Sequence, residues 1–162
     1  DAVAGQLTGI PAEELAGAAD NEAAEPEDPR FIPAEKAMAE GDYAAAISVY
    51  EDILAQDPKN TAARAARDNA RLLGRLTDAG DTDPIAAADA HPTDVAAGFA
   101  AADAEAAAGD AESAFDRLLA LMTVAPDRKP EIRDRLLELF ALFDPTDPRV
   151  LAARGKLASA LF

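Results

Sequence analysis

Catalysis needs a nucleophile held beside a base, or a set of metal ligands, and this sequence of 162 residues offers neither pattern. His91 is the only imidazole. It sits in a His91-Pro92-Thr93-Asp94 junction among helix-capping residues, with no nucleophile nearby, and reads as structural or solvated. Cysteine is absent, which removes disulfides, thiolate chemistry and cysteine-based metal sites together. One histidine and no cysteine do not make a zinc centre. The carboxylate pairs Glu13-Glu14, Glu27-Asp28 and Glu51-Asp52 are sequence neighbours, so on a helix they diverge by about 100°. They read as solvated charge rather than catalytic dyads. No enzyme, cofactor or metal is expected.

The charges say more. Fifteen Lys+Arg against 31 Asp+Glu give a net charge of −16, which argues against a nucleic-acid binder and against docking on an anionic membrane. No apolar run is long enough to span a bilayer, and no basic-then-apolar leader is visible, so a cytoplasmic location is expected. The first residue is Asp rather than Met, which suggests a processed or truncated chain. Against this acidic background, Arg64, Arg67, Arg71 and Arg75 recur at three- and four-residue spacing, on one helical face. Such a face either compensates nearby acids within the fold or receives an acidic partner segment.

The elements that position these residues are helical. Alanine supplies 43 residues, more than half of the 49% hydrophobic content, and it is the best helix former while burying little area. Residues 1–30 hold eight acids, one base and three prolines, and read as an acidic flexible segment. From residue 31 to 162 the pattern is that of an all-α domain of seven or eight helices. A brief helix is expected near 33–40, then Tyr43–Gln56. The next is capped by Thr61 and runs to about Leu76, with Ala62, Ala65, Ala66, Leu72, Leu73 and Leu76 as its apolar face and the arginines opposite. A short helix follows Asp83-Pro84, and Thr93 or Asp94 caps another. A strong helix covers 111–124, with Ala114, Phe115, Leu118, Leu121 and Met122 inward. After a loop through Pro130 a helix is expected over Glu131–Phe143, apolar on more than one face and so covered on two sides. Asp147-Pro148 opens the last, with Val150, Leu151, Leu157, Leu161 and Phe162.

The chain aligns with itself. Gly41-Asp42-Tyr43 through Leu54 matches Gly109-Asp110-Ala111 through Met122 at a shift of 68, twice 34, and Pro58, Pro92 and Pro126 are also spaced by 34. A helix–turn–helix period of 34 is the tetratricopeptide signature, and it predicts a right-handed solenoid of paired helices. Ala46 and Ala114 are small where paired helices approach, and the residues at 47/115, 50/118 and 53/121 fill the space to the next repeat. The middle repeat is irregular, with a short second helix, and the register slips beyond Pro126.

Several stretches form a recognisable set, in which the repeat residues are generic and those at 133–140, 147–150 and 157–162 are more specific. They are Glu27-Asp28-Pro29-Arg30-Phe31 leading into Ala39–Ala46, Ala104–Arg117, Arg133-Asp134-Arg135-Leu136-Leu137-Glu138-Leu139-Phe140, Asp147-Pro148-Arg149-Val150, and Leu157–Phe162. Together they resemble the C-terminal half of the thioredoxin-like co-chaperones called chaperedoxins, over roughly residues 27–162. Residues 1–15 weakly resemble the end of the thioredoxin-like domain that precedes the repeats in that family. The resemblance implies a protein that holds aggregation-prone clients and passes them to a chaperonin or the Hsp70 system, with the C-terminal helix as a chaperonin contact. The family's redox cysteine lies outside these residues, so no redox role carries over. The alternative is a general tetratricopeptide scaffold that binds one partner or self-associates.

Two groups of residues are therefore candidates for partner binding: Arg64, Arg67, Arg71 and Arg75, and the terminal Leu157, Leu161 and Phe162. The terminal residues could equally cap the last hydrophobic face of the solenoid. A peptide-carboxylate clamp is not supported, because the third repeat offers Phe99, Asp103 and Ala106 where cationic and amide groups would be needed.

Overall fold

The computed structural model describes residues 28–162. The expectations for residues 1–27 lie outside them. Eight α-helices make up the described residues: α1 (Ile32–Ala39), α2 (Tyr43–Gln56), α3 (Thr61–Ala79), α4 (Pro84–Ala90), α5 (Val95–Ala107), α6 (Ala111–Val124), α7 (Lys129–Phe140) and α8 (Pro148–Leu161). Short 3-10 turns at Pro29–Phe31 and Pro126–Arg128 precede α1 and α7. No strand is present among the described residues. Consecutive helices pack on one another from α1 to α3 and from α4 to α7, α5 also packs on α3, and α8 lies against α6.

Local chemistry sets the boundaries. Asp42, Asn60, Asp83, Asp94 and Asp110 each accept the backbone N–H three residues on, at 3.0–3.2 Å. Asp147 caps α8 through the Arg149 N–H at 2.9 Å. These caps satisfy N–H groups that the first helical turn leaves without a partner. The Asp110 and Asp147 carboxyls are held below the usual carboxylate range by bonding to Ser113 and Arg149. Gly41 and Gly109 close the equivalent turns 68 residues apart, at φ 75° and 84°, where a side chain is strained.

The period is carried by the first helix of each pair: α3, α5 and α7 begin at Thr61, Val95 and Lys129, 34 residues apart. The irregular middle repeat keeps this register by compensation. Its first helix, α3, has 19 residues where α5 has 13, and its second, α4, has 7 where α6 has 14.

The boundaries of α3 and α7 differ from expectation. Thr61 is the first residue of α3, and Asn60 is its cap. Pro130 does not close a loop: it occupies the first turn of α7, where a missing N–H costs nothing, and α7 ends at Phe140 rather than Phe143.

The core divides in two. Ala34, Ala37, Ala46, Tyr50, Ile53, Ala63 and Ala70 join α1, α2 and one side of α3. The larger cluster runs from Leu72 through α5 and α6 to α7 and α8. Ala46, Ala101, Ala102, Ala111 and Ala114 are fully buried, so the alanine surplus serves close helix approach. Gly98 marks one such approach: a Cβ there would lie 2.5 Å from Leu121 Cδ1 across the α5–α6 contact. Phe115 anchors the larger cluster, edge-on to Phe140 at 4.8 Å and to Phe143 at 5.8 Å between ring centroids. The inward set expected for α6 is buried throughout. In α7, Ile132, Leu136, Leu139 and Phe140 are buried while Leu137 is exposed.

Candidate protein-binding groove

The arginine stripe lies on one face of α3, but that face does not oppose the core as a free solvated surface. The buried residues of α3 are Ala63, Asp68, Ala70 and Leu72, while Ala62 is exposed and Ala65, Ala66, Leu73 and Leu76 are only half-buried. The displacement has a physical cause: neighbouring helices bring carboxylates up to the arginines, so the charged face of α3 is enclosed between α2, α5 and α7.

The resulting network is continuous. Arg75 donates two bonds to Asp103 on α5, Nε at 2.8 Å and a terminal nitrogen at 3.0 Å, and its other terminal nitrogen donates to Glu138 on α7 at 3.0 Å. Arg71 bridges Glu51 on α2 at 2.9 Å and Glu138 at 3.0 Å. Arg135 on α7 reaches Asp103 at 2.9 Å and lies 4.6 Å from the Phe99 ring centroid. Arg67 pairs with Asp68 at 3.0 Å. The Asp103 and Asp68 side chains are each 3% exposed. Burial pushes the Asp68 carboxyl up, with Arg67 opposing it. Burial also works against the Arg75 charge, but bonding to Asp103, with its and Glu138's attraction, outweighs it and raises the pKa. At Arg135 burial wins, lowering the pKa despite Asp103. Asp103, which sequence reasoning noted only as a residue unfit for a clamp, is the hub of this network. A lone Asp within an alanine-rich helix was the signal that could have found it.

Beside the network a groove of about 960 Å³ opens between the first half of α3, the second half of α7 and the α7–α8 connection. Its wall includes Ala62, Ala65, Leu137, Ala141 and Phe143, and its charged lining is Arg64, Arg67, Arg71 and Arg154 against Asp68, Asp134 and Glu138. Of the arginines, only Arg64 and Arg154 have no carboxylate partner among the described residues. Arg64 donates to the Pro58 carbonyl at 2.7 Å, and Arg154 stands 5.2 Å from the Phe140 ring centroid. Both line this groove and both are exposed. In a chain of net charge −16, the uncommitted guanidinium groups are thus gathered at one apolar-walled groove.

The structure separates the candidates. Arg64, Arg67 and Arg71 line the groove, while Arg75 belongs to the buried network beyond it. Leu157 is a core residue at 6% exposure, Leu161 is half-buried against the same core, and Phe162 is fully exposed. Lys129 Nζ donates to the Ala160 carbonyl at 2.9 Å, tying the end of α8 to α7. His91 lies in a second recess with Asp89, Asp94 and Arg117, where Arg117 bonds Glu105 and Asp89. Among the described residues, no group of three or more metal-ligating side chains occurs and no helix is long and apolar enough to cross a membrane.

Comparison with known proteins agrees with the period. Two family models, both described as tetratricopeptide repeat, match residues 37–82 and 86–162. An uncharacterized protein of Mycobacterium bovis and uncharacterized proteins of two strains of Mycobacterium tuberculosis are each 39% identical over 157 residues, 96% of this chain and 51% of theirs. The chain therefore spans about half the length of the curated relatives it matches. No solved structure matches. The helix pairs, their 34-residue spacing and both family matches make this chain a tetratricopeptide-repeat region, of the kind that serves as a protein–protein interaction scaffold.

Proposed function

We propose that this region is the client-holding and partner-binding part of a chaperedoxin-like cytoplasmic co-chaperone, and that the α3–α7 groove is its binding surface. The observation that carries the reading is the groove itself: an apolar wall beside Arg64 and Arg154, the two guanidinium groups without a carboxylate partner among the described residues. A client segment with apolar side chains flanked by Asp or Glu fits it, the apolar groups against Leu137 and Phe143 and the carboxylates at the arginines. Hydrophobic burial supplies the attraction, and charge sets orientation and selectivity. The high net negative charge keeps a loaded complex soluble. The relatives carry about as much chain again beyond the matched part, which leaves room for the thioredoxin-like domain that the resemblance implies. Chaperonin or Hsp70 contact belongs to the same proposal. Leu161 and Phe162 are its accessible residues, since Leu157 is committed to the core.

A heat-denatured client tests the reading. The chain is expected to suppress light scattering at a stoichiometric ratio, and R64Q/R154Q to lose most of that suppression with an unchanged melting temperature. Absence of suppression by the unaltered chain would count against client holding. Tight binding of one partner with no suppression would favour the scaffold reading.

A further inference from the structure

The groove lies at the point where the acidic N-terminal segment joins the fold. Arg30, two residues past Asp28, reaches Asp57 at 3.7 Å. The next residue, Pro58, offers its carbonyl to Arg64 at 2.7 Å, and Arg64 lines the groove. The chain before Asp28 thus departs one loop away from the groove mouth. That preceding stretch reads Asp20-Asn21-Glu22-Ala23-Ala24-Glu25-Pro26-Glu27, with four carboxylates, no base, and two alanines between the acids. Eight extended residues reach about 26–29 Å. The groove follows α3 from Thr61 to Arg71, about 15 Å of helix.

Resting on the reading of the groove as a binding surface, we propose that Asp20–Glu27 is its intramolecular occupant, an acidic strap that partners must displace. Three observations support this. The groove lining carries four guanidinium groups against three carboxylates, a local excess of positive charge in a chain of net charge −16. Arg64 and Arg154 lack carboxylate partners among the described residues, and the segment supplies four carboxylates and no base. The alanines between those acids are small enough to lie against Ala62, Ala65 and Ala141 without opening the groove. Each exposed charge contact is individually weak, but a short tether supplies the segment at an effective concentration on the order of millimolar. A weak strap then occupies the groove until a client with larger apolar side chains replaces it. The strap raises the affinity threshold for clients, and ionic strength tunes it.

The absence of cysteine allows a clean test in the full chain. A nitroxide on the single cysteine of A24C should broaden the amides of Ala62, Ala65 and Ala141 at low salt. Their intensity should recover at about 0.5 M salt, where the screening length falls to about 4 Å. It should also recover in A24C combined with R64Q/R154Q. Groove amides that stay sharp at low salt, or broadening that survives the arginine substitutions, would overturn the proposal. So would broadening of an isotope-labelled chain by a spin-labelled unlabelled chain, which would assign the groove to a second copy.

A separate titration distinguishes this inference from the reading beneath it. With a fluorescent peptide bearing leucines flanked by glutamates, the neutralised variant D20N/E22Q/E25Q/E27Q should bind roughly fivefold more tightly than the unaltered chain. Equal affinity in both would leave the groove a partner site and remove the strap. If neither chain bound the peptide but the groove amides were still broadened, the strap would stand and the reading of the groove as a client site would fail.

Discussion

Asp103→Asn is expected to destabilise the fold by about 3–5 kcal/mol, the range for breaking a buried ion pair on one side. The Asp103 carboxylate, 3% exposed, accepts two bonds from Arg75 and one from Arg135. An amide removes the negative charge and leaves two guanidinium groups from α3 and α7 facing each other with Glu138 as their only shared acid. Arg135 already has its pKa lowered by burial, which Asp103 partly offsets. Urea unfolding at neutral pH measures the loss, and the melting temperature should fall by on the order of 10 °C. A change below about 1 kcal/mol, the value of a solvated surface pair, would contradict the assignment of Asp103 as the hub. Asp68→Asn supplies the contrast. Burial raises the Asp68 pKa above its unfolded value, so its ionised form opposes the fold once the pH passes the folded pKa. A neutral amide removes that opposition, and the cost at neutral pH should be well below that of Asp103→Asn.

Phe115→Ala should cost a similar amount, about 3–5 kcal/mol, for a different reason. Phe115 is 1% exposed and holds Phe140 and Phe143 edge-on, so its removal leaves a cavity under the end of α7. The effect should extend to function, because Phe140 and Phe143 also line the groove. Denaturant unfolding reads the first effect. Peptide affinity, measured where the variant remains folded, reads the second, and it should fall while R64Q/R154Q alters affinity alone. A Phe115→Ala variant with native stability would mean that the α6–α7 contact closes around the gap, and the groove wall would then not depend on it.

The helix pairs were legible because their signals are local. Asp-Pro and Gly-Asp punctuation, and apolar residues at three- and four-residue spacing, located α2, α4, α6 and α8 closely. The 34-residue period rested on a self-match at twice that shift and on three prolines, and the starts of α3, α5 and α7 carry the same spacing. Pro130 misled because a proline in the first turn of a helix and a proline in a loop look alike in sequence. The face of α3 was misread for a deeper reason. Ala62, Ala65 and Ala66 look like the inward face, and although pairing of the arginines with acids within the fold was expected, which acids enclose them was not: Asp103 and Glu138 lie 28 and 63 residues away from Arg75. Periodicity reports one helix at a time, whereas ion pairing reports what packs beside it. The groove was legible only as a stripe of arginines. That two of the groove's arginines lack carboxylate partners among the described residues follows from the positions of all the described carboxylates together.

The most direct test of the central claim is an amide chemical-shift titration of the full chain with an unfolded, acidic client peptide. Shift changes should concentrate at residues 61–71 and 134–145 and around Arg154, and should be strongly reduced in R64Q/R154Q. Shifts confined to Leu161 and Phe162, or spread evenly with no preference for the α3–α7 groove, would contradict it.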